Sequence, residues 1–359
     1  MEPREFLGDL ANTAADPGAV AAPLPGQGAA AADGVRLPGR LVPLPQSVSP
    51  EARRFLAGLI GPDGGPCVRT QIFPPTDDLS AWKALKASMN QAVDEMAAAE
   101  GAGLRSACET VTMAGAVVQL ATPHGGSRDP ALAYLDVHGG ALICGDGEFC
   151  RTAARRAADN LGVLAYGVDY RMPPEHPYPA GLDDCVAVYR ELLKRYEPRN
   201  IIVGGLSAGG NLAAATVLRA RDEGLPPPAA VVLLTPEVDL TESGDSFATV
   251  EGLDISYPVT LMPANRLYAA GHDLTHPYLS PLFADFSRGF PPTFLQAGTR
   301  DFFLSNTVRM HRALRRAGVP AELHVFEAMP HGGFHGAPED TELAAEVRRF
   351  ADEHWSRTA

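Results

Sequence analysis

The stretch Ile201-Ile-Val-Gly-Gly-Leu-Ser-Ala-Gly-Gly-Asn-Leu212 joins an apolar run to an Ala-rich segment through a glycine-flanked serine, Ser207. A strand, a sharp G-x-S-x-G turn and a helix are what a nucleophile elbow requires. The glycines matter because a Cβ beside so tight a turn would clash with neighbouring backbone. Ser207 would then stand at a helix N-terminus, which favours developing negative charge. The alternative is an ordinary glycine-rich turn, since the chain has 36 glycines.

A serine hydroxyl is a weak nucleophile, so it needs a base within reach and a group that orients that base. Of the 10 histidines, His331 is favoured because it follows a predicted strand in a glycine-rich loop, and His335 is the competing candidate. Asp301 also follows a predicted strand, and catalytic groups of open α/β sheets gather at such ends. Its alternative role is to cap the helix that begins nearby. The order Ser207, Asp301, His331 is that of the α/β-hydrolase fold.

The segment His138-Gly-Gly-Ala141 follows another predicted strand. It supplies backbone hydrogen-bond donors, which Ser207, Asp301 and His331 lack. Attack on an ester carbonyl creates an oxyanion, which backbone donors can stabilise. Gly139 and Gly140 would let the backbone approach the substrate, and the amide of Ala208 would add a third donor. The alternative is a plain glycine turn. We interpret His138 as a structural support of this loop rather than as an acid or base.

Short apolar runs alternate with helical patterns through much of the chain. The predicted strands are residues 111–113, 116–120, 132–137, 163–170, 201–204, 230–234, 293–298 and 321–326. The predicted helices are residues 50–59, 80–100, 182–195, 208–223, 262–270, 305–317 and 341–355. Continuous apolar strands are typical of strands covered on both faces. The pattern therefore predicts an α/β fold with a mostly parallel central sheet flanked by helices.

Three segments lie outside this alternation. Residues 1–75 are rich in Ala, Pro and Gly, which predicts a loosely ordered arm with one short helix. Residues 237–291 read as an insertion that covers the sheet end and shapes the pocket. The predicted helix over residues 80–100 is either an ordinary amphipathic helix or part of a lid, because both need one apolar face.

Composition narrows the class of protein. The 359 residues are 45% hydrophobic and 20% charged, with a net charge of -13, which argues against nucleic acid or anionic membrane as a partner. The five cysteines form no C-x-x-C pair and are interpreted as buried apolar residues in a reducing compartment. Without a signal peptide or an apolar stretch of about 18 residues, a cytoplasmic location is expected. No metal cluster and no phosphate loop is apparent, so neither metal nor cofactor is predicted.

Two further motifs accompany the elbow and the His-Gly-Gly loop. They are the proline-rich Asp169-Tyr-Arg-Met-Pro-Pro-Glu-His-Pro-Tyr-Pro-Ala180 and Tyr278-Leu-Ser-Pro-Leu-Phe-Ala284. Together the four motifs resemble the hormone-sensitive-lipase group of α/β-hydrolases, the bacterial family IV esterases, over roughly residues 81–355. Within the proline-rich stretch, Glu175 and His176 are interpreted as structural, because prolines fix the backbone there.

The resemblance implies roles for particular residues. It makes Ser207 the nucleophile, His331 the base, Asp301 its orienting carboxylate, and Gly139, Gly140 and Ala208 the oxyanion donors. It also implies an N-terminal arm with cap helices in residues 1–105, a cap insertion in residues 237–291, and a catalytic domain in residues 106–236 and 292–359. A homodimer is suggested only because such relatives are often dimeric.

Three positions depart from the pattern of that group. Leu206 stands where many members have Asp or Thr, Ala141 replaces a third glycine, and Ser305 occupies a place where an acidic residue is common. None removes a catalytic group. The function expected is a carboxylesterase for small esters with short- to medium-chain acyl groups. The alternatives are an amidase or peptidase with the same triad, and a non-catalytic binding protein with the hydrolase fold.

Overall fold

The computed structural model describes residue 39 and residues 41–67, 73–255 and 260–355. Residues 1–38, the first part of the arm expected over residues 1–75, lie outside these described residues. The strands are β1 (Ala107–Met113), β2 (Ala116–Thr122), β3 (Ala133–Val137), β4 (Leu164–Asp169), β5 (Ile201–Leu206), β6 (Ala230–Leu234), β7 (Thr293–Gly298) and β8 (Ala321–Phe326). Each of the eight strands predicted from the sequence is present.

The helices within the described residues include a short first helix, a long second helix and several crossover helices. They are α1 (Pro50–Gly58), α2 (Leu79–Gly101), α3 (Glu148–Leu161), α4 (Ala180–Leu192), α5 (Ala208–Asp222), α6 (Ser246–Thr249), α7 (Met262–Ala269), α8 (Leu304–Arg316) and α9 (Pro338–His354). None of the helices in the described residues combines the length and the hydrophobicity that a membrane-spanning segment needs.

One eight-stranded sheet organises the fold, in the order β1-β2-β4-β3-β5-β6-β7-β8. The strand β2 pairs antiparallel with both of its neighbours, whereas the pairs from β4 to β8 are parallel. This arrangement confirms the predicted α/β-hydrolase fold with its mostly parallel sheet. Because β3, β5, β6, β7 and β8 are consecutive neighbours, the loops at their carboxyl ends lie side by side.

Both faces of the central strands β3, β5, β6 and β7 are buried, which explains why these strands read as continuous apolar runs. Side chains on one face enter the largest core cluster: Leu135, Val203, Leu233 and Leu295. Their neighbours in the chain point to the other face and enter a second cluster: Tyr134, Ile202, Val232 and Phe294. Burying one such side chain is worth about 1.5–3 kcal/mol. The sheet is therefore a rigid base for the loops at its carboxyl edge.

The helix α3 was not predicted from the sequence. Its segment is rich in Ala and Arg, and Phe149 and Leu161 are its only large apolar residues. The face that it buries is made mostly of small side chains and ends at Leu161: Cys150, Thr152, Ala153, Ala154, Ala158 and Leu161. The spacing of these residues by three or four positions was the available signal.

The interpretation of the cysteines needs a partial correction. All five are free thiols, and Cys144, Cys150 and Cys185 are buried as expected. However, Cys67 is exposed and Cys108 is half-buried, so these two do not serve as core residues. Cys108 lies in β1, an edge strand of the sheet, and Cys67 lies in the segment that follows α1.

The helix α2 is attached at two different places. Its apolar face packs in one cluster with the loop after β3 and with α7: Trp82, Leu85, Ile143, Ala264 and Leu267. Along the same helix, Asn90 Oδ1 accepts a hydrogen bond of 2.8 Å from the amide of Gly145. Asp94 Oδ1 accepts another, of 3.1 Å, from the amide of Phe149. Helix α2 thus joins the insertion to the loop that follows His138.

Candidate active site

The turn after β5 holds Ser207 in a strained backbone conformation, with φ 59° and ψ -123°. A non-glycine residue adopts such angles only when its surroundings enforce them. A Cβ at Gly205 would lie 2.3 Å from the carbonyl oxygen of Gly209, and a Cβ at Gly209 would lie 1.9 Å from that of Val137. The glycines of the motif are therefore required sterically, and Ser207 is lifted to the sheet edge at the start of α5.

The structure brings Ser207, His331 and Asp301 together. The Nε2 atom of His331 lies 3.0 Å from the Oγ atom of Ser207. On the other side of the ring, Nδ1 lies 3.2 Å from Oδ1 of Asp301. All three residues are buried, and Asp301 is fully inaccessible. This geometry allows the imidazole to take the hydroxyl proton of Ser207 while a carboxylate faces its second nitrogen.

The carboxylates near His331 favour the protonated form of its ring. Burial lowers the pKa of His331, but the hydrogen bond and the charge of Asp301, together with the charge of Asp254, outweigh it and raise that pKa above its ordinary value. A base must be neutral to accept a proton. We therefore expect the catalytic competence of His331 to be lost as the pH falls through this raised pKa.

Asp301 does not cap the next helix, which was the alternative role for it, because the N-cap residue of α8 is Phe303 and this helix has no side-chain capping bond. Its Oδ1 does accept a hydrogen bond of 2.8 Å from the amide of Phe303, the residue directly before α8. This bond is compatible with the contact to His331, because one carboxylate oxygen can accept more than one hydrogen bond. It fixes the carboxylate beside the start of α8 and so orients it towards His331.

Thr235 is a neighbour of the base that sequence reasoning missed. It follows β6, and its Oγ1 atom is in hydrogen-bond contact with Nδ1 of His331. Its backbone has φ 41°, and its amide donates to the carbonyl of Gln296 over 2.7 Å. The available signal was its position at the end of the strand between β5 and β7. Nδ1 of His331 thus faces two oxygen atoms, one of Asp301 and one of Thr235.

Asp254 was missed as well. It lies in the predicted insertion, after α6, yet it is only 4% exposed and bonds to the backbone beside both Asp301 and His331. Nothing in the residues around it forms a motif, so only its position in space identifies it.

The loop after β3 lies against the nucleophile. A Cβ at Gly139 would be 3.4 Å from the Cβ of Ser207. Gly140 has φ +117°, and a Cβ there would be 2.0 Å from the carbonyl oxygen of Cys144. Ala141, in the place of a third glycine, has φ 52°. Of the predicted donors, Gly139 thus lies beside Ser207, Gly140 is the next residue of the same loop, and Ala208 is the first residue of α5.

The side chain of His138 contacts this loop and stabilises it. Its Nδ1 is 2.7 Å from the carbonyl oxygen of Gly139, and its ring stacks on Tyr170 with a centroid distance of 4.1 Å. A carbonyl can only accept, so Nδ1 carries the proton. Burial lowers the pKa of His138 to about 4, which keeps the ring neutral. These contacts fit a structural role and leave the ring away from proton transfer.

The competing candidates are placed elsewhere. The ring of His335 packs against Phe55, with centroids 5.3 Å apart. Glu175 lies 3.7 Å from Lys83 and 3.6 Å from Lys86, so it connects α2 to the proline-rich stretch. His176 is exposed and follows it. Neither residue of that stretch contacts Ser207 among the hydrogen bonds and ion pairs of the described residues.

Two departures from the family pattern have a structural counterpart. The carbonyl oxygen of Leu206 lies 3.1 Å from where a Cβ of Gly139 would be. At the start of α8, Ser305 exchanges two hydrogen bonds of 2.9 Å with Ser246 of α6. Ser305, which is neutral where an acidic residue is common, therefore joins the insertion to α8 through this pair of hydrogen bonds.

One group of side chains has a spacing that a metal ion could bridge. A ring nitrogen of His138, Sγ of Cys150 and a carboxylate oxygen of Asp169 lie within 4.8 Å of one another. Asp169 already accepts hydrogen bonds from Gln119 and from the amide of Gly147. Burial also raises the pKa of the Cys150 thiol well above its usual range, so metal binding would have to displace both bonds and a proton.

Comparison with known proteins identifies the family. The model of an α/β-hydrolase-fold family matches residues 134–335. An acetyl-hydrolase of Streptomyces hygroscopicus is 33% identical over 207 residues, which cover 57% of this chain and 69% of that protein. An esterase of Acinetobacter venetianus is 30% identical over 221 residues, covering 60% of this chain and 73% of that protein.

Solved structures extend this similarity to nearly the whole chain. The crystal structure of one esterase superposes with a TM-score of 0.79 and 33% identity, covering 90% of this chain and 99% of that one. An esterase from the bacterial hormone-sensitive lipase family superposes with a TM-score of 0.73 and 30% identity, covering 87% of this chain and 100% of that one. The chain therefore belongs to the α/β-hydrolase family, among the esterases similar to hormone-sensitive lipase.

Proposed function

We propose that this chain is a carboxylesterase that hydrolyses small esters with short- to medium-chain acyl groups through Ser207, His331 and Asp301. The observation that carries the proposal is the 3.0 Å contact between Ser207 Oγ and His331 Nε2, continued by the 3.2 Å contact between Nδ1 and Asp301. The names of the relatives, an acetyl-hydrolase and an esterase, support the same reaction class.

The reaction begins when Ser207 Oγ attacks the ester carbonyl carbon and passes its proton to Nε2 of His331. The carbonyl π electrons move to the oxygen, and the amides of Gly139, Gly140 and Ala208 would stabilise the resulting charge. The C–O bond to the alcohol then breaks as the imidazolium returns the proton to the leaving oxygen. What remains is an acyl-serine and a neutral imidazole.

Hydrolysis of the acyl-serine repeats these steps with water. His331 takes a proton from a water molecule, whose oxygen attacks the acyl carbon. The second oxyanion collapses, and Ser207 leaves with the proton held on His331. Asp301 faces the imidazolium in both steps, because its carboxylate lies at Nδ1.

The acyl chain length is the first property to measure. We expect the hydrolysis of nitrophenyl esters from acetyl to palmitoyl to peak at short to medium chains, because Ser207 is only 6% exposed beneath its surroundings. A rapid burst of about one nitrophenol per active site would report the acyl-enzyme. A maximum at palmitoyl would contradict the proposed substrate class, and hydrolysis of amides alone would favour the amidase alternative.

The oxyanion loop offers a second test. Gly140→Ala would force a Cβ to 2.0 Å from the Cys144 carbonyl oxygen at φ +117°, so the loop must move. We expect kcat to fall by about 10²–10³, the usual cost of losing one oxyanion donor.

Gly115→Ala is the matched control for that variant. Gly115 has φ +88°, but nothing lies within 4 Å of an added Cβ. It should lose some stability to backbone strain while keeping the wild-type kcat. An unchanged kcat in Gly140→Ala would remove this loop from the proposed mechanism.

We also propose a cap made of α2 and the insertion of residues 237–291, since the two share the cluster around Trp82 and Ala264.

The free thiols support a reducing, cytoplasmic compartment. A homodimer remains our proposal for the assembly, because β8 is an edge strand of the sheet and could pair with a second copy.

A further inference from the structure

Asp254 contributes one carboxylate to two loops of the active site. Its Oδ1 accepts hydrogen bonds from the amide of His331 at 2.8 Å and from the amide of Ile255 at 2.7 Å. Its Oδ2 accepts a bond of 2.7 Å from the amide of Phe302, the residue after Asp301. Hydrogen bonds to a carboxylate are roughly twice as strong as neutral ones. One buried side chain thus connects the backbones that carry the proposed base and its orienting carboxylate.

The connection matters because the two loops come from different strands. Asp301 follows β7 and His331 follows β8, and the strands themselves end before either residue. The contact between Nδ1 of His331 and Asp301 therefore depends on how the loops are held beyond the sheet. Asp254 supplies that hold from a third segment, the insertion.

We propose that Asp254 is a positioning residue, which holds the loops of Asp301 and His331 in register and stabilises the imidazolium form of His331 by its charge. The proposal rests on the proposed function of the triad. Asp254 contacts the backbone of His331 rather than its ring, so it acts through the base and not on the substrate.

The charges around Asp254 determine the expected pH dependence. The titratable groups that act most strongly on it are Asp301 and His331. Burial and the charge of Asp301 raise the pKa of Asp254 above its ordinary value, whereas the charge of His331 lowers it. The charge of Asp254 in turn raises the pKa of His331. Removing it must lower the pKa of His331 and move the acidic limb of the activity profile to lower pH.

The test is Asp254→Asn, with Asp254→Ala as the larger deletion. Asparagine keeps the volume, but it can accept at one atom only, so it turns an NH₂ group towards a backbone N–H. We expect kcat to fall by roughly 10- to 100-fold with little change in KM, because transition-state alignment is lost. The acidic limb of kcat/KM should move to lower pH by roughly 0.5 to 1 unit.

The matched control is Asp245→Asn. Asp245 belongs to the same insertion, but its side chain is exposed. It should keep the wild-type kcat and pH profile. A wild-type kcat and an unmoved acidic limb in Asp254→Asn would overturn the proposal.

A second measurement needs no substrate. The ring protons of His331 can be titrated by NMR in the wild type and in Asp254→Asn, with His331→Asn used to assign the signal. A lower pKa of His331 in the variant supports the positioning role even if the wild type hydrolyses no ester, in which case the proposed function alone would fail. An unchanged pKa would overturn the charge effect.

If Asp254→Asn does not fold, the wild type decides by itself. The signal of His331 should then show a second inflection caused by the ionisation of Asp254. A curve with one inflection would contradict the coupling between the two groups and the proposal with it.

Discussion

Replacement of Ser207 by alanine should lower kcat for ester hydrolysis by about 10⁶, the loss seen when a serine hydrolase is deprived of its nucleophile. The residual rate would come from oxyanion donors and substrate binding that do not need the hydroxyl. The fold should be unaffected, since alanine occupies the same strained φ of 59° without a new clash. Initial rates with a nitrophenyl ester, together with thermal unfolding, measure both effects.

Ser287→Ala is the control for that experiment. Ser287 is exposed and bonds only locally, to Asp285 over 2.6 Å. It should keep the wild-type rate. If Ser207→Ala retained more than about 1% of wild-type kcat, far above the residual rate expected without a nucleophile, the covalent mechanism would be wrong.

The second large effect is expected at His331. His331→Asn removes the atom that lies 3.0 Å from Ser207 Oγ, so the hydroxyl would lose its proton acceptor. In enzymes of this kind the loss of the base costs about as much as loss of the nucleophile, roughly 10⁶ in kcat. The rate of labelling by a fluorophosphonate should fall in parallel, because that reaction also needs an activated serine.

His335 provides a matched substitution in the same loop. His335 has φ 56°, which asparagine tolerates better than most residues. His335→Asn should leave kcat close to the wild-type value, because the ring of His335 packs against Phe55 and is not the base in the proposed mechanism. The reverse outcome, with activity lost in His335→Asn and kept in His331→Asn, would exchange the roles of the two histidines.

Much of the site could be predicted because each proposed catalytic residue has a local signature. Ser207 lies in a glycine-flanked turn after an apolar run. Asp301 and His331 each lie in a loop shortly after a later predicted strand. The parallel order of β5, β6, β7 and β8 then brings these loops together. Patterns of a few residues sufficed, since strand spacing and direction are common to the whole fold class.

The residues that were missed have no local signature. Asp254 acts through backbone amides 48 and 77 positions away, so its contacts depend on how the insertion returns to the sheet. Thr235 is a single threonine after an ordinary buried strand. Only its contact with the ring of His331 indicates that it belongs to the site. The helix α3 was missed for a related reason, because small residues bury a face without marking it by hydrophobicity.

The double attachment of α2 has a consequence for redesign of the enzyme. A designer seeking a wider substrate range would enlarge or shrink Trp82 or Leu85, since these lie in the apolar cluster shared with the insertion. The same helix holds the amide of Gly145 through Asn90, close to the loop of Gly139. A rigid helix transmits a displacement along its length, so selectivity and rate would change together. Libraries on this helix should therefore be screened for turnover as well as for substrate preference.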